Sequence, residues 1–326
     1  MVDEQGNLKF VIAGVGGAGC NSILRLGSVN FKQTSFVAFN TDKKQLDLIN
    51  NAKKVLIGKA ITKGLGAGGD PLIGEKAALA SEKEIKKELS NADLIFLITG
   101  VGGGTGSGAS PIIAQIAKEN TEALIISFCY FPFKLERARI KKAQTAVSKL
   151  SDYSDSLILI ENDKLVNWAE NVPINQAFKL ADDVAAKAVE GILHTLLEPS
   201  LINLDFADLS SITKGKGLGM ISYASEFGPL KTHDLPERVL NNPLLDVDYS
   251  KASGALIHLT GDTKLRLGDA TQICEKITEK LPQSSSVCWG ARIDETREDF
   301  IEALVIFTGV PSPILLDPEK FNPNNL

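Results

Sequence analysis

Gly102-Gly103-Gly104-Thr105-Gly106-Ser107-Gly108 is the stretch from which the fold reads outward. The apolar run Leu94 to Thr99 precedes it and has the character of a buried strand. Ala109 to Ala117 follows, with helical apolar spacing and a proline near its start. Five glycines in seven residues are costly to order. They allow backbone N–H groups to approach a bulky anion, with the positive end of a helix dipole aimed at the same point. The spacing therefore predicts a strand, a phosphate-binding loop and a helix.

The 326 residues, 44% of them hydrophobic, suffice for one large or two ordinary domains. A net charge of −5 argues against a general nucleic-acid surface, although backbone donors can still hold a nucleotide. Cys20, Cys129, Cys274 and Cys288 show no CxxC or Cys/His metal spacing and are expected as reduced thiols, with no metal site. His194, His233 and His258 are scattered, and no catalytic role is expected of them. The opening residues, with Asp3 and Glu4, lack signal-peptide character, and no apolar run approaches a membrane span. A cytoplasmic protein without direct membrane insertion is expected.

Two further loops repeat the glycine pattern. Lys9 to Ala13 reads as a strand running into Gly14-Val15-Gly16-Gly17-Ala18-Gly19-Cys20-Asn21 and a helix through Leu26, formally a dinucleotide fingerprint. Ser35 to Phe39 is a second strand, ending in Asn40-Thr41-Asp42, where a polar side chain can reach a ribose. Val55 to Ile57 is a third, leading to Gly64-Leu65-Gly66-Ala67-Gly68-Gly69-Asp70-Pro71 and a helix over 74–88. One such loop suits an NAD-dependent oxidoreductase. Three, at the carboxyl ends of strands in an open parallel sheet, suit a chain of phosphates. No GxxxxGK[ST] is present and the loop at 102–108 has no lysine. Charge is then expected to be met by N–H groups, helix ends and Mg²⁺.

Strands at 123–127 and 156–160, with a helix over 138–150 between them, complete an α/β layer structure over 1–165. Asn175 to Leu197 is apolar over most of a long helical surface and reads as a buried central spine, polar at Asp182 and Asp183 and ended by Pro199. Asn203-Leu204-Asp205-Phe206-Ala207-Asp208 follows. Its acids either project together from a loop or form an ordinary helix cap. A glycine-rich turn over 214–219 leading to Met220-Ile221-Ser222-Tyr223, strands at 256–259, 286–290 and 302–307, and a helix over 269–281 indicate a smaller α+β domain. The expected division is a nucleotide domain over 1–174, a central helix over 175–198, a C-terminal domain over 199–318 and a short tail over 319–326.

With these features assembled, the chain closely resembles the tubulin/FtsZ superfamily of polymerising GTPases, and within it the prokaryotic FtsZ-like members. GGGTGSG is the superfamily signature; GVGGAG-C-N, NTD, GLGAGGDP, AFKLADDV and NLDFAD occur in the family's order and spacing. The resemblance spans residues 9 to about 312. It implies a Rossmann-like parallel-sheet GTPase domain, a long central helix and an α+β activation domain. It also implies GTP/GDP binding, with Mg²⁺ held mainly by phosphates and water.

On this resemblance Gly16, Gly17, Ala18 and Asn21 line the first phosphate loop, and Ala67, Gly68 and Gly69 face the terminal phosphate. Gly103, Gly104, Thr105, Gly106 and Ser107 wrap the phosphates. Glu136 and Arg139 match ribose and nucleotide contacts, Asn162 and Asp182 guanine contacts, and Phe178 the stacking partner. A carboxylate suits guanine, whose N1–H and exocyclic amine both donate; adenine has no donor at N1. Asn203, Asp205 and Asp208 match the hydrolysis loop, which polarises the attacking water in the nucleotide site of the next subunit. The implied partners are further copies, head to tail, and membrane-adaptor or division proteins. The CetZ branch, linked to cell shape, is the rival identity. Departures are Arg137 after Glu136 in a segment one residue short, Cys20 in place of a glycine, and Ser107 where bacterial FtsZ has threonine. The long linker and adaptor-binding peptide of many relatives are not among these residues, which fits either a removed tail or a different way of recruiting partners and bears on the expected division role more than on hydrolysis.

Overall fold

The computed structural model describes residues 8–26, 33–164, 174–197 (side chains from Ala185 onward), 202, 205–215, 217–228, 231–241 and 248–310. They form two compact units, the second beginning at Lys187.

The first unit is built on β1 (Phe10–Val15), β2 (Thr34–Asn40), β3 (Lys53–Leu56), β4 (Leu94–Gly100), β5 (Leu124–Phe131) and β6 (Ser156–Glu161). Their order is β3-β2-β1-β4-β5-β6, every pair parallel. Strand β4 shows why the sheet forms. Leu94, Ile95, Phe96, Leu97 and Ile98 are all fully buried, as expected of a parallel strand covered on both faces. Burial of each such side chain contributes about 1.5–3 kcal/mol. The strand order reverses between β1 and β4, paired from Phe10↔Leu94 to Val15↔Thr99. That reversal leaves a crevice at the carboxyl ends of the two strands, where the first and third glycine loops leave the sheet.

The helices of this unit are α1 (Gly16–Leu26), α2 (Lys43–Asp47), α3 (Lys59–Thr62), α4 (Pro71–Leu79), α5 (Glu82–Leu89), α6 (Thr105–Asn120) and α7 (Arg137–Ser151). The single helix expected over 74–88 is two helices. The break falls at Ala80 and Ser81, and the buried Ser81 hydroxyl accepts the Gly58 N–H at 2.9 Å. Helix α6 begins at Thr105, ahead of its apolar spacing, and carries Pro111 inside it. Its first turn is Thr105-Gly106-Ser107-Gly108, which apolar periodicity cannot mark. Helix α8 (Ile174–Leu197) is 24 residues long, and Ala185, Ala188, Val189, Ile192 and Leu193 are buried along it.

The second unit contains α9 (Phe206–Thr213), β7 (Gly217–Phe227), α10 (Lys231–Leu240), β8 (Gly254–Gly261), α11 (Leu267–Thr278), β9 (Ser286–Ile293) and β10 (Phe300–Thr308). Its strand order is β7-β10-β8-β9. β10 runs antiparallel to β7 and β8, and β8 runs parallel to β9. The fold is thus α/β with a smaller α+β unit. Helix α10 has no counterpart in the sequence reading: it is largely polar and carries Pro236 inside it, yet Leu235, Pro236 and Val239 are buried. Among the described residues no helix is long and apolar enough to cross a membrane.

Candidate active site

The three glycine loops meet. Gly16 has φ +71°, and a β-carbon there would lie 3.0 Å from the Gly106 nitrogen. A β-carbon on Gly104 would lie 2.8 Å from the Ala67 Cβ and 2.9 Å from the Asp70 nitrogen. The first loop therefore rests on the third and the second on the third, at contacts that only glycine permits. Gly17, Gly68, Gly69 and Gly103 differ from these: a β-carbon on each would meet nothing within 4 Å. Their missing side chains leave open approaches to the backbone.

Side chains fasten the loops from beneath. The Thr41 hydroxyl, fully buried, lies 2.7 Å from the Thr105 hydroxyl. The Thr41 carbonyl accepts the Gly66 N–H and the Thr62 hydroxyl, each at 3.2 Å. Ser107 is buried, and its Oγ accepts the Gly102 N–H at 2.7 Å, closing the loop onto the first turn of α6. Asp42 and Asp70 spend their carboxylates on the N-caps of α2 and α4. Cys20 lies buried below the first loop, and burial pushes its thiol up to about 12, so it is inert at neutral pH.

Helices α1 and α6 both start at this point, which aims their positive dipole ends at it. Asn21 is exposed on α1. Glu136 and Arg139 form an ion pair of 2.6 Å at the start of α7, and Glu136 also accepts the Phe133 N–H. Arg139 is next to the third loop, its Cβ 2.9 Å from where a β-carbon on Gly102 would stand. Asn162 opens a helical turn directly after β6. Phe178 and Asp182 fall within α8, but their side chains lie outside the described residues, as does Asn203.

Asp205 and Asp208 belong to the second unit. Asp205 is the N-cap of α9 and accepts the Asp208 N–H at 2.7 Å; Asp208 accepts the Asp205 N–H at 3.2 Å. This is a capping box built from two aspartates. It uses one oxygen of each carboxylate, and a carboxylate has lone pairs to spare. The helix-cap reading and the acid-pair reading therefore describe the same residues. The chain just before the acids is tied to the sheet: Ile202 and Ala291 of β9 exchange backbone hydrogen bonds of 3.4 and 3.3 Å. Cys288, also on β9, is near enough that the charges of Asp208 and Asp205 add to burial in raising its thiol pKa.

Sequence reasoning missed Thr41 as a tie between loops, and it missed Lys142. Lys142, on α7, donates its Nζ to the Gly69 carbonyl at 2.6 Å. The only local signal for Thr41 was its place in the polar Asn40-Thr41-Asp42 that follows β2; Lys142 gave none.

Comparison with known proteins adds to this geometry. Residues 9–170 match the Tubulin/FtsZ family GTPase domain and residues 217–311 the FtsZ family C-terminal domain. The chain is 46% identical to the cell division protein FtsZ 2 of Methanocaldococcus jannaschii over 95% of its length and 82% of the relative's. It is 42% identical to the cell division protein FtsZ 1 of Thermococcus kodakarensis over 97% and 85%. Among solved structures, an empty FtsZ dimer of M. jannaschii superposes with a TM-score of 0.89 at 39% identity, covering 94% of this chain and 89% of the other. A GTPγS-bound CetZ2 protofilament from Haloferax volcanii superposes at 0.79 with 20% identity, over 93% and 94%, a likeness of fold alone. Converging glycine loops at a sheet reversal, in a chain matched over both halves and nearly half identical to such relatives, make this protein a member of the tubulin/FtsZ family of GTPases.

Proposed function

We propose that this protein is a GTP-hydrolysing cytoskeletal subunit that polymerises head to tail for cell division, and that each active site is completed by the acid pair of the adjacent subunit. The observation that carries the reading is the convergence of three glycine loops at the β1/β4 reversal, with open backbone at Gly17, Gly68, Gly69 and Gly103. Amides and helix ends bind the phosphates there without net positive charge. Asn162 and Asp182 select guanine, Phe178 stacks on it, and Glu136 and Arg139 contact the ribose side.

Among the described residues no three His, Cys, Asp or Glu side chains group to hold a metal. The donor chemistry of the loops, amides rather than carboxylates, suits a Mg²⁺ that takes its oxygens from phosphates and water. When bound, that ion neutralises phosphate charge. The protein's own part is to position the triphosphate and to orient water. Asp205 and Asp208, with Asn203, polarise the water that attacks the terminal phosphate of a neighbouring subunit's nucleotide. Hydrolysis then depends on assembly, and loss of the terminal phosphate weakens the contact. Membrane adaptors or division proteins are the further partners proposed.

Identities of 46% and 42% to cell division proteins favour division over the cell-shape role of the CetZ branch. An oxidoreductase reading leaves two of the three loops without a purpose. GTP-dependent sedimentation with electron microscopy, beside a phosphate-release assay, tests the proposal. Filaments with GTP and their loss after hydrolysis are expected. Binding of NADH in preference to GTP, or hydrolysis without assembly, would refute it.

A further inference from the structure

No lysine occurs in any of the three glycine loops, yet the fold delivers one. Helix α7 carries Arg139, Lys142 and Lys149 at spacings of three and seven, which share one helix face. Along that face Arg139 adjoins Gly102 of the third loop, Lys142 holds the Gly69 carbonyl of the second, and Lys149 pairs with Glu75 of α4 at 3.1 Å. The segment Ala67-Gly68-Gly69 needs holding. Gly68 and Gly69 both have left-handed backbone, φ +58° and +76°. Its near end is fixed by the Gly66 N–H on the Thr41 carbonyl and by Ala67 against Gly104. The bond from Lys142 fixes its far end.

We propose that Lys142 is a positioning and specificity-determining residue that makes this site prefer a nucleoside triphosphate over a diphosphate. The inference rests on the GTP reading above and deepens it. The ammonium group has two effects. It restrains the left-handed glycine pair, so the loop is ordered before the nucleotide arrives. It also puts a positive charge beside the loop expected to face the terminal phosphate, the group by which GTP and GDP differ. A residue that only braced α7 would affect both nucleotides equally.

The test measures equilibrium dissociation constants for GTP and GDP, with Mg²⁺, on the full chain and on K142M, K142R and K149M. K142M is expected to weaken GTP about five- to tenfold and GDP less than about twofold, the effect shrinking in high salt because the group is exposed. K142R, which keeps the charge, retains most of the preference. K149M loses the strap to α4 but not the bond to Gly69, and keeps the wild-type ratio. Equal weakening of both nucleotides by K142M, an unchanged ratio in K142M, or loss of the ratio in K149M would overturn the proposal. Failure of the wild-type chain to bind either guanine nucleotide would overturn the GTP reading itself, and the proposal with it.

Discussion

At Thr41 one side chain and one carbonyl connect two of the phosphate loops, through the Thr105 hydroxyl and the Gly66 amide. If Thr105 is to donate its proton to a phosphate, Thr41 must donate to Thr105. Thr41→Val removes that donor at a buried site, at a cost of about 1–3 kcal/mol. It should raise KM for GTP severalfold, while Thr41→Ser restores it; steady-state kinetics and thermal melting of both variants check this. His258 supplies a pH prediction. Its Nδ1 lies 2.5 Å from the Thr195 hydroxyl, which itself donates to the Gly191 carbonyl. Burial first, then the charges of Arg292 and His194, pull its pKa down to about 3. The unfolded chain takes up this proton near pH 6.5 and the folded one only near 3, so stability falls as pH falls through that window. The slope due to this group is up to about 1.4 kcal/mol per pH unit. His258→Gln should flatten the curve of melting temperature against pH there; an unchanged slope would contradict the assignment. The glycine loops were legible in the sequence because a backbone requirement is written locally. The ties at Thr41–Thr105 and Lys142–Gly69 join residues 64 and 73 positions apart, and only the fold brings them together.

Among the elements, α9 carries the clearest prediction, because its cap and the proposed chemistry share two carboxylates. Alanine at Asp205 removes the N-cap and should cost about 1 kcal/mol. Asparagine caps as well as aspartate does, and an amide oxygen at 208 can still accept the Asp205 N–H. Asp205→Asn and Asp208→Asn should therefore melt within about 0.5 kcal/mol of the wild type, bind GTP normally and release almost no phosphate. Retained turnover in either would remove that acid from the mechanism. The strands were readable from their apolar runs. The helices were readable where an apolar face marks them and obscure where it does not. The Ala80–Ser81 break depends on a hydrogen bond from Gly58, the first turn of α6 is threonine, glycine and serine, and α10 contains Pro236.

For the molecule as a whole, the glycine loops belong to one compact unit and Asp205 and Asp208 to the other. A head-to-tail contact between copies is heterologous and does not close, so it grows into a filament. If the acids act on the neighbour's nucleotide, assembly and hydrolysis are one process, and GTPase activity reports on polymer. The direct measurement is phosphate release per molecule across a dilution series, with filament mass followed by sedimentation in the same samples. Near-zero specific activity is expected below a threshold concentration, with a rise above it that parallels filament mass. Specific activity that stays constant on dilution, down to protein that no longer sediments, would contradict it.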